Sequence, residues 1–247
     1  MSHFVNDILV KRYQKLVNEA PSDYDVYWML QHENNSKEKL PDITRVETFT
    51  LKDIDNLDYY IYGNHLYHNV NFIPQLFYNR HPEYEYYWNI EYDVIYTGDW
   101  SIILKYFEES NSDMIACHVE KYSEKNADWS WWRDFDFNEQ RFRKQDCLKS
   151  FNPVYRMSNR TFVYLDQQFK IANPAYFETT IPTLLYNNNF ILEDFGGTGE
   201  FVHKYNYNRF YIQGADVNNG TMRFLPRFLD EEISYLGTKN ILFHPVK

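Results

Sequence analysis

The 247-residue sequence predicts an α/β fold: a single domain whose mostly parallel central sheet is flanked by helices. Strand-length apolar runs alternate with stretches of helical periodicity through the first half, and a chain that is 44% hydrophobic can bury a sizeable core. No internal repeat, low-complexity tract or Gly/Ser/Pro linker divides it, so one domain over residues 1–247 is expected.

The first element is a helix in "NDILVKRYQKLVNEA", where Ile8, Leu9, Tyr13, Leu16 and Val17 fall close to a 3.6-residue period and Asn6 or Asp7 can cap the N-terminus. Tyr24 to Gln31, "YDVYWMLQ", reads as a short strand, and a polar loop over 33–42 separates it from the weaker strand "TRVETFT". "VNFIPQLFYNRHP" suggests a short helix leading into the strand "YEYYWNIEYDV". Asp99 then caps the helix "WSIILKYFEES", and "DMIACHV" is the next strand. Strands joined through helices of about a dozen residues imply crossover connections, and hence a parallel sheet covered on both faces. The second half is less regular. "DWSWWRDFDF" follows neither period, "NEQRFRKQDCL" reads as a helix, and "SNRTFVYLDQQFK" as another with Ser158 as cap. A third helix runs from about Glu178 through Asn188, "FILEDF" is a strand, and the apolar "NILF" forms a short strand just before His244.

A net charge of −10 and a pI near 5.3 argue against a nucleic-acid backbone or an anionic membrane surface as the main partner. Two cysteines, Cys117 and Cys147, provide neither a disulfide framework nor a cysteine-based zinc site, which fits a reducing compartment. The first residues lack the apolar core of a signal peptide and no stretch approaches membrane-span length, so a soluble, cytoplasmic protein is expected. The motifs G-x-G-x-x-G, G-x-x-x-x-G-K-[ST] and G-x-S-x-G are absent, which argues against dinucleotide oxidoreductases, phosphate-loop NTPases and α/β-hydrolases.

One stretch carries the functional reading. In "YYWNIEYDVIYTG", an aromatic strand ends in two acids, Glu91 and Asp93. Ligands of open α/β sheets sit beyond the carboxyl ends of the strands, and side chains two apart on a strand share a face. Two carboxylates placed there repel unless something positive joins them, and a hard divalent cation is a natural partner. The other reading open at this point is a pair of solvated strand-end acids, or an ion pair with Arg80 or Lys105.

"WNIEYDVIYTGDW" resembles the metal-binding DxD-type motif of GT-A glycosyltransferases, here in a Glu-Tyr-Asp form. "NPVYRMSNRTFVYLD" and "YFETTIPTLLYNNNFILEDFGG" resemble the acceptor-side segment of such enzymes, and "LFHPVK" a C-terminal segment whose histidine completes the metal site. The resemblance implies a nucleotide-binding half over residues 1–117 and an acceptor-binding half over 118–247. Asp93 would coordinate Mn2+ or Mg2+ carried by a nucleotide diphosphate, and Glu91 would lie near the ribose or reach the metal through water. His244 would be a further ligand, and Lys247 would meet the diphosphate as a point charge. A glutamate replaces the usual first aspartate, which leaves the division of roles between the two acids open.

An inverting transfer needs a base for the acceptor hydroxyl, and inversion is favoured over retention. Glu178 resembles the acid that inverting GT-A enzymes place at this point, and Asp194 in "LEDFGG" is the second candidate. The aromatic cluster Trp129, Trp131 and Trp132 suits a sugar ring laid on an indole, with Trp132 and Trp131 as the expected acceptor contacts and Asp134 near enough to bind hydroxyls. The expected activity is metal-dependent transfer of a sugar from a nucleotide-diphosphate donor to a glycan or lipid-linked acceptor, as in surface polysaccharide assembly. The alternatives are a non-catalytic carbohydrate-binding protein and a nucleotidyltransferase. The latter usually has a basic Gly-rich loop near its first strand, which is absent here.

Overall fold

A computed structural model describes residues 1–33, 43, 45–63, 68–132, 142–172, 175–215 and 218–247, and the backbone at 133 and 134. Helix α1 (Asp7–Glu19) starts where Asn6 accepts the Leu9 N–H in its side chain at 2.8 Å, as the sequence expects of a cap. It leads to β1 (Trp28–Gln31), which pairs in parallel with β2 (Val46–Phe49). Helices α2 (Leu51–Asp55) and α3 (Phe72–Arg80) precede β3 (Tyr86–Ile90), followed by β4 (Ile95–Tyr96), α4 (Trp100–Tyr106) and β5 (Met114–Lys121). Asp99 caps α4 by accepting the Ser101 N–H at 2.8 Å.

The second half contributes β6 (Leu148–Ser158), α5 (Asn159–Phe169), α6 (Phe177–Asn187), β7 (Leu192–Asp194), α7 (Asp230–Leu236) and β8 (Leu242–Phe243). Strand β6 is the element that the sequence reading lacks. Lys149, Ser150, Asn152, Pro153 and Arg156 interrupt its apolar character, yet every residue of the strand is buried. It occupies the second place in a four-stranded sheet of order β3-β6-β5-β7, antiparallel to both neighbours, whereas β5 and β7 are parallel. The fold is therefore α/β with a mixed sheet, not a mostly parallel one. Strands β3, β5 and β7 still point the same way, so their carboxyl ends share one edge. The 117/118 boundary falls inside β5, which binds both flanking strands of the second half.

Two apolar clusters sandwich this sheet. One gathers Phe72, Met114, Tyr155, Phe162 and Leu185; the other Ile103, Cys117, Val154, Phe195 and Phe210. Arg156 is buried, its guanidinium donating to the Phe107, Ser110 and Ser112 carbonyls, which ties the loop before β5 to the sheet. Ser158 does not cap α5 with its side chain; its hydroxyl bonds Asp113 instead. No helix among the described residues is long and apolar enough to cross a membrane.

Candidate metal centre and adjoining cavity

Glu91 and Asp93 do lie at the carboxyl edge, but a turn brings them together, not strand alternation. β3 ends at Ile90, the Glu91 N–H donates to the Pro153 carbonyl at 2.8 Å, and the Val94 N–H closes the turn on the Glu91 carbonyl at 3.2 Å. β4 then pairs antiparallel with β8, Ile95 opposite Phe243 and Tyr96 opposite Leu242. Phe243 is fully buried, worth about 1.5–3 kcal/mol as an anchor. The next residue, His244, is thereby carried to the turn, and the Val246 N–H bonds the Asp93 carbonyl at 2.9 Å.

The imidazole is oriented for metal binding. His244 Nδ1 lies 2.8 Å from the Arg223 carbonyl, which can only accept, so Nδ1 carries the hydrogen and Nε2 keeps its lone pair. Nε2 faces Asp93 Oδ1 at 3.6 Å and Glu91 Oε2 at 3.8 Å, and one ligand atom from each of the three residues lies within 4.8 Å of the other two. These spacings exceed a hydrogen bond and let all three groups reach one ion. Asp93 Oδ1 is buried and accepts no hydrogen bond. An orphaned carboxylate oxygen opposite a nitrogen lone pair is unfavourable until a cation lies between them. The donor set of two carboxylates and one imidazole fits Mn2+ and, less well, Mg2+. The ion-pair reading is excluded for Arg80, which pairs with Glu47 at 3.2 Å and Asp53 at 3.6 Å.

Burial, reinforced by Asp93, pushes the Glu91 carboxyl up to about 8. Burial also lowers His244, against the pull of Asp93. The Met1 amino group, buried beside the same acids and donating to the Ile90 carbonyl at 3.0 Å, is lowered to about 6, chiefly by its burial.

Glu178 stands in the first turn of α6, buried, and accepts the Asn152 N–H at 2.8 Å. Burial raises it to about 8; the charge of Glu91 adds to this, while Asn152 and Lys149 oppose it. Asp194 is a different case. Oδ1 accepts the Gly196 and Gly197 N–H groups, both at 2.9 Å, and Oδ2 accepts the Val119 N–H at 2.8 Å and the Tyr211 hydroxyl at 3.1 Å. Four donors fill its lone pairs, so Asp194 holds the turn after β7 and is not available as a base.

A cavity of about 1040 Å³ is lined by His118, Glu120, Trp129, Trp131, Lys149, Phe151 and Gln213, among others; Glu178 is not in its lining, but bonds Asn152, the neighbour of Phe151. Trp131 is half-buried and stacks on Tyr176 with ring centroids 4.0 Å apart. Trp132, the preferred sugar contact from the sequence, is instead core: it is 4% exposed and its indole N–H donates to the Asn126 carbonyl at 3.0 Å. Asp134 lies outside the described side chains. Lys247 is exposed at the end of the segment that carries His244, its N–H on the Phe228 carbonyl at 3.0 Å.

Sequence reasoning missed Lys149 and Glu120, paired at 3.2 Å, with the Lys149 ammonium also 4.7 Å from the centre of the Trp129 ring. It also missed Asn152, whose side-chain amide is buried with neither end bonded. The available signal was a set of polar residues inside "CLKSFNPVYRM", which a buried strand tolerates only for a reason.

Residues 11–115 match a protein family described as "Protein of unknown function (DUF3405)". That stretch contains Glu91 and Asp93 but neither Glu178 nor His244. No curated protein matches the chain.

Proposed function

We propose that the protein is a metal-dependent glycosyltransferase of the GT-A type, moving a sugar from a nucleotide-diphosphate donor to a glycan or lipid-linked acceptor. The observation that carries the reading is the buried, unbonded Asp93 Oδ1 facing the Nε2 lone pair of His244. Asp93 and His244 would hold Mn2+ or Mg2+, with Glu91 as a third ligand or a ribose contact. The ion would neutralise charge on a departing nucleotide diphosphate. Lys247, exposed on the same segment, would add a positive charge for the diphosphate.

Glu178 is the base for the acceptor hydroxyl in an inverting transfer. A carboxyl raised to about 8 is matched to proton transfer near neutral pH. The cavity lined by Lys149, whose charge acts on Glu178, supplies an aromatic wall at Trp129 and Trp131, and hydrogen-bonding groups at Glu120, Lys149 and Gln213, the mixture that a sugar face and its hydroxyls require. The same wall favours a second reading, a non-catalytic carbohydrate-binding protein. Calorimetric titration with UDP and GDP, with and without Mn2+, separates the two. The transferase binds a nucleotide diphosphate only with the metal, whereas a lectin binds neither nucleotide under either condition.

A further inference from the structure

Strand β5 carries one residue more than β6 where the two pass the cavity. Cys117 pairs with Phe151 and Glu120 with Lys149, so His118 and Val119 stand against Ser150 alone. Such a β-bulge turns a side chain out of the regular alternation of a strand. His118 takes it up with a φ of +52°, in the left-handed region where a residue with a Cβ is strained. Buried side chains hold the bulge in place. The His118 N–H donates to the Tyr211 hydroxyl at 2.9 Å and the Val119 N–H to Asp194 Oδ2 at 2.8 Å, while the Tyr211 hydroxyl donates to Asp194 Oδ2 at 3.1 Å. Backbone strain maintained in this way gathers at ligand sites.

The bulged residue offers one open contact. His118 is 2% exposed, lines the cavity, and has Nε2 2.7 Å from the Met222 carbonyl. A carbonyl only accepts, so Nε2 carries the hydrogen and Nδ1 keeps its lone pair, to which no described residue donates. Burial, and after it the charge of Lys149, lower His118 from its ordinary value, against the Met222 carbonyl and Glu120, so the ring is uncharged near neutral pH. The next carbonyl along the chain, that of Arg223, fixes His244 through the other ring nitrogen. Both imidazoles touch Phe151, with ring centroids 6.1 Å away for His118 and 5.3 Å for His244, so the cavity and the metal centre meet at that ring.

The charges around Nδ1 restrict what can meet it. Lys149 is matched by Glu120 at 3.2 Å and Lys121 by Glu200 at 3.1 Å, and the other charged residues of the described lining, Lys125 and Asp128, cancel. In a chain of net charge −10, this wall is neutral. A carboxylate would set lone pairs against Nδ1 and its charge against Glu120. An ammonium would meet that of Lys149, and Glu120 already accepts from Gln213 at 2.7 Å and Asn126 at 3.1 Å as well as from Lys149. A neutral hydroxyl donates to Nδ1 without either cost. We infer that His118 Nδ1 accepts a hydroxyl hydrogen from an uncharged sugar residue in this cavity, and so selects neutral sugars over uronic acids and amino sugars. This rests on the cavity being a sugar site, as both the transferase and the carbohydrate-binding protein require.

The test titrates the full chain with methyl glycosides of glucose, galactose and mannose, each in its neutral, 6-carboxylate and 2-ammonium form, and follows the histidine ring nitrogens by 15N NMR. At least one neutral glycoside should bind, on the order of tenfold more tightly than its two charged forms, and it should move the His118 Nδ1 resonance upfield while Nε2 keeps its hydrogen. His118→Asn suits the same φ and sets a carbonyl oxygen near the place of Nδ1, so it should bind that glycoside within about threefold of the wild type. His118→Gly meets no strain at this φ but has no acceptor, and should bind on the order of tenfold more weakly. A glycoside that binds without moving Nδ1, equal affinity in His118→Gly and the wild type, or preference for a charged form overturns the role of His118 and leaves the sugar site standing. A wild type that binds none of the nine glycosides overturns the sugar site itself, and His118 with it.

Discussion

Asp93→Asn keeps the side chain's shape and removes its charge, and its effects should have opposite signs without and with metal. Without metal, Glu91 and Asp93 present donor atoms within 4.8 Å of one another. Two full charges at that separation repel by roughly 3 kcal/mol at an effective dielectric constant near 20. At pH 7 much of that cost is avoided because Glu91, raised to about 8, keeps its proton. The asparagine variant should therefore match or slightly exceed the wild type in stability at pH 7, and its advantage should widen toward pH 9, with the repulsion as its ceiling. With Mn2+ at 100 times its dissociation constant, the wild type gains about 2.7 kcal/mol. For a chain of this size that raises the thermal midpoint by roughly 5–10 °C. The variant should lose most of that gain. Scanning fluorimetry over a Mn2+ titration at pH 7, and without metal at pH 7 and 9, reads both signs. An equal Mn2+-induced rise in the two proteins refutes Asp93 as a ligand, and a variant clearly less stable without metal refutes the repulsion.

His244→Ala should weaken Mn2+ binding by at least about tenfold, measured by calorimetry, because Nε2 is the nitrogen that faces the acids. Glu178→Gln should change how stability depends on pH. In the wild type the folded-state value lies above that of the unfolded chain, so the folded protein holds the extra proton. The Glu178 contribution is fully present below about pH 4.5 and is lost as pH rises through about 8. Urea unfolding from pH 4 to 9 should show a shallower fall for the glutamine variant, and parallel curves would contradict the assignment. Asp194→Ala should cost about 3–5 kcal/mol in urea unfolding because four donors lose their acceptor. A stable variant that had lost activity would instead make Asp194 catalytic. Trp131→Ala should weaken acceptor-sugar binding while sparing nucleotide binding, read by separate calorimetric titrations.

Elements with strong local signals were legible in the sequence. Asn6 and Asp99 cap the helices they were expected to cap, and the apolar "NILF" docks as β8. The meeting of Asp93 with His244 was legible only through the resemblance, because residues about 150 positions apart share no periodicity that points from one to the other. β6 was hidden because its buried polar residues break the apolar pattern, and their partners come from distant segments, such as the Ser110 and Ser112 carbonyls for Arg156. Without that strand, the alternation of helix and strand suggested a parallel sheet. Trp132 and Asp194 were misread for one reason: a residue type suited to binding sugars or moving protons is equally suited to being buried with every polar atom bonded. Spacing cannot tell the two uses apart, whereas the Asn126 carbonyl and the four donors around Asp194 do.

Anomalous diffraction at the manganese edge, from crystals grown with Mn2+ and UDP, tests the central claim most directly. The account predicts one strong peak within bonding distance of both Asp93 Oδ1 and His244 Nε2, with the UDP diphosphate on the same ion. A peak elsewhere, or UDP bound with no manganese between Asp93 and His244, would contradict it.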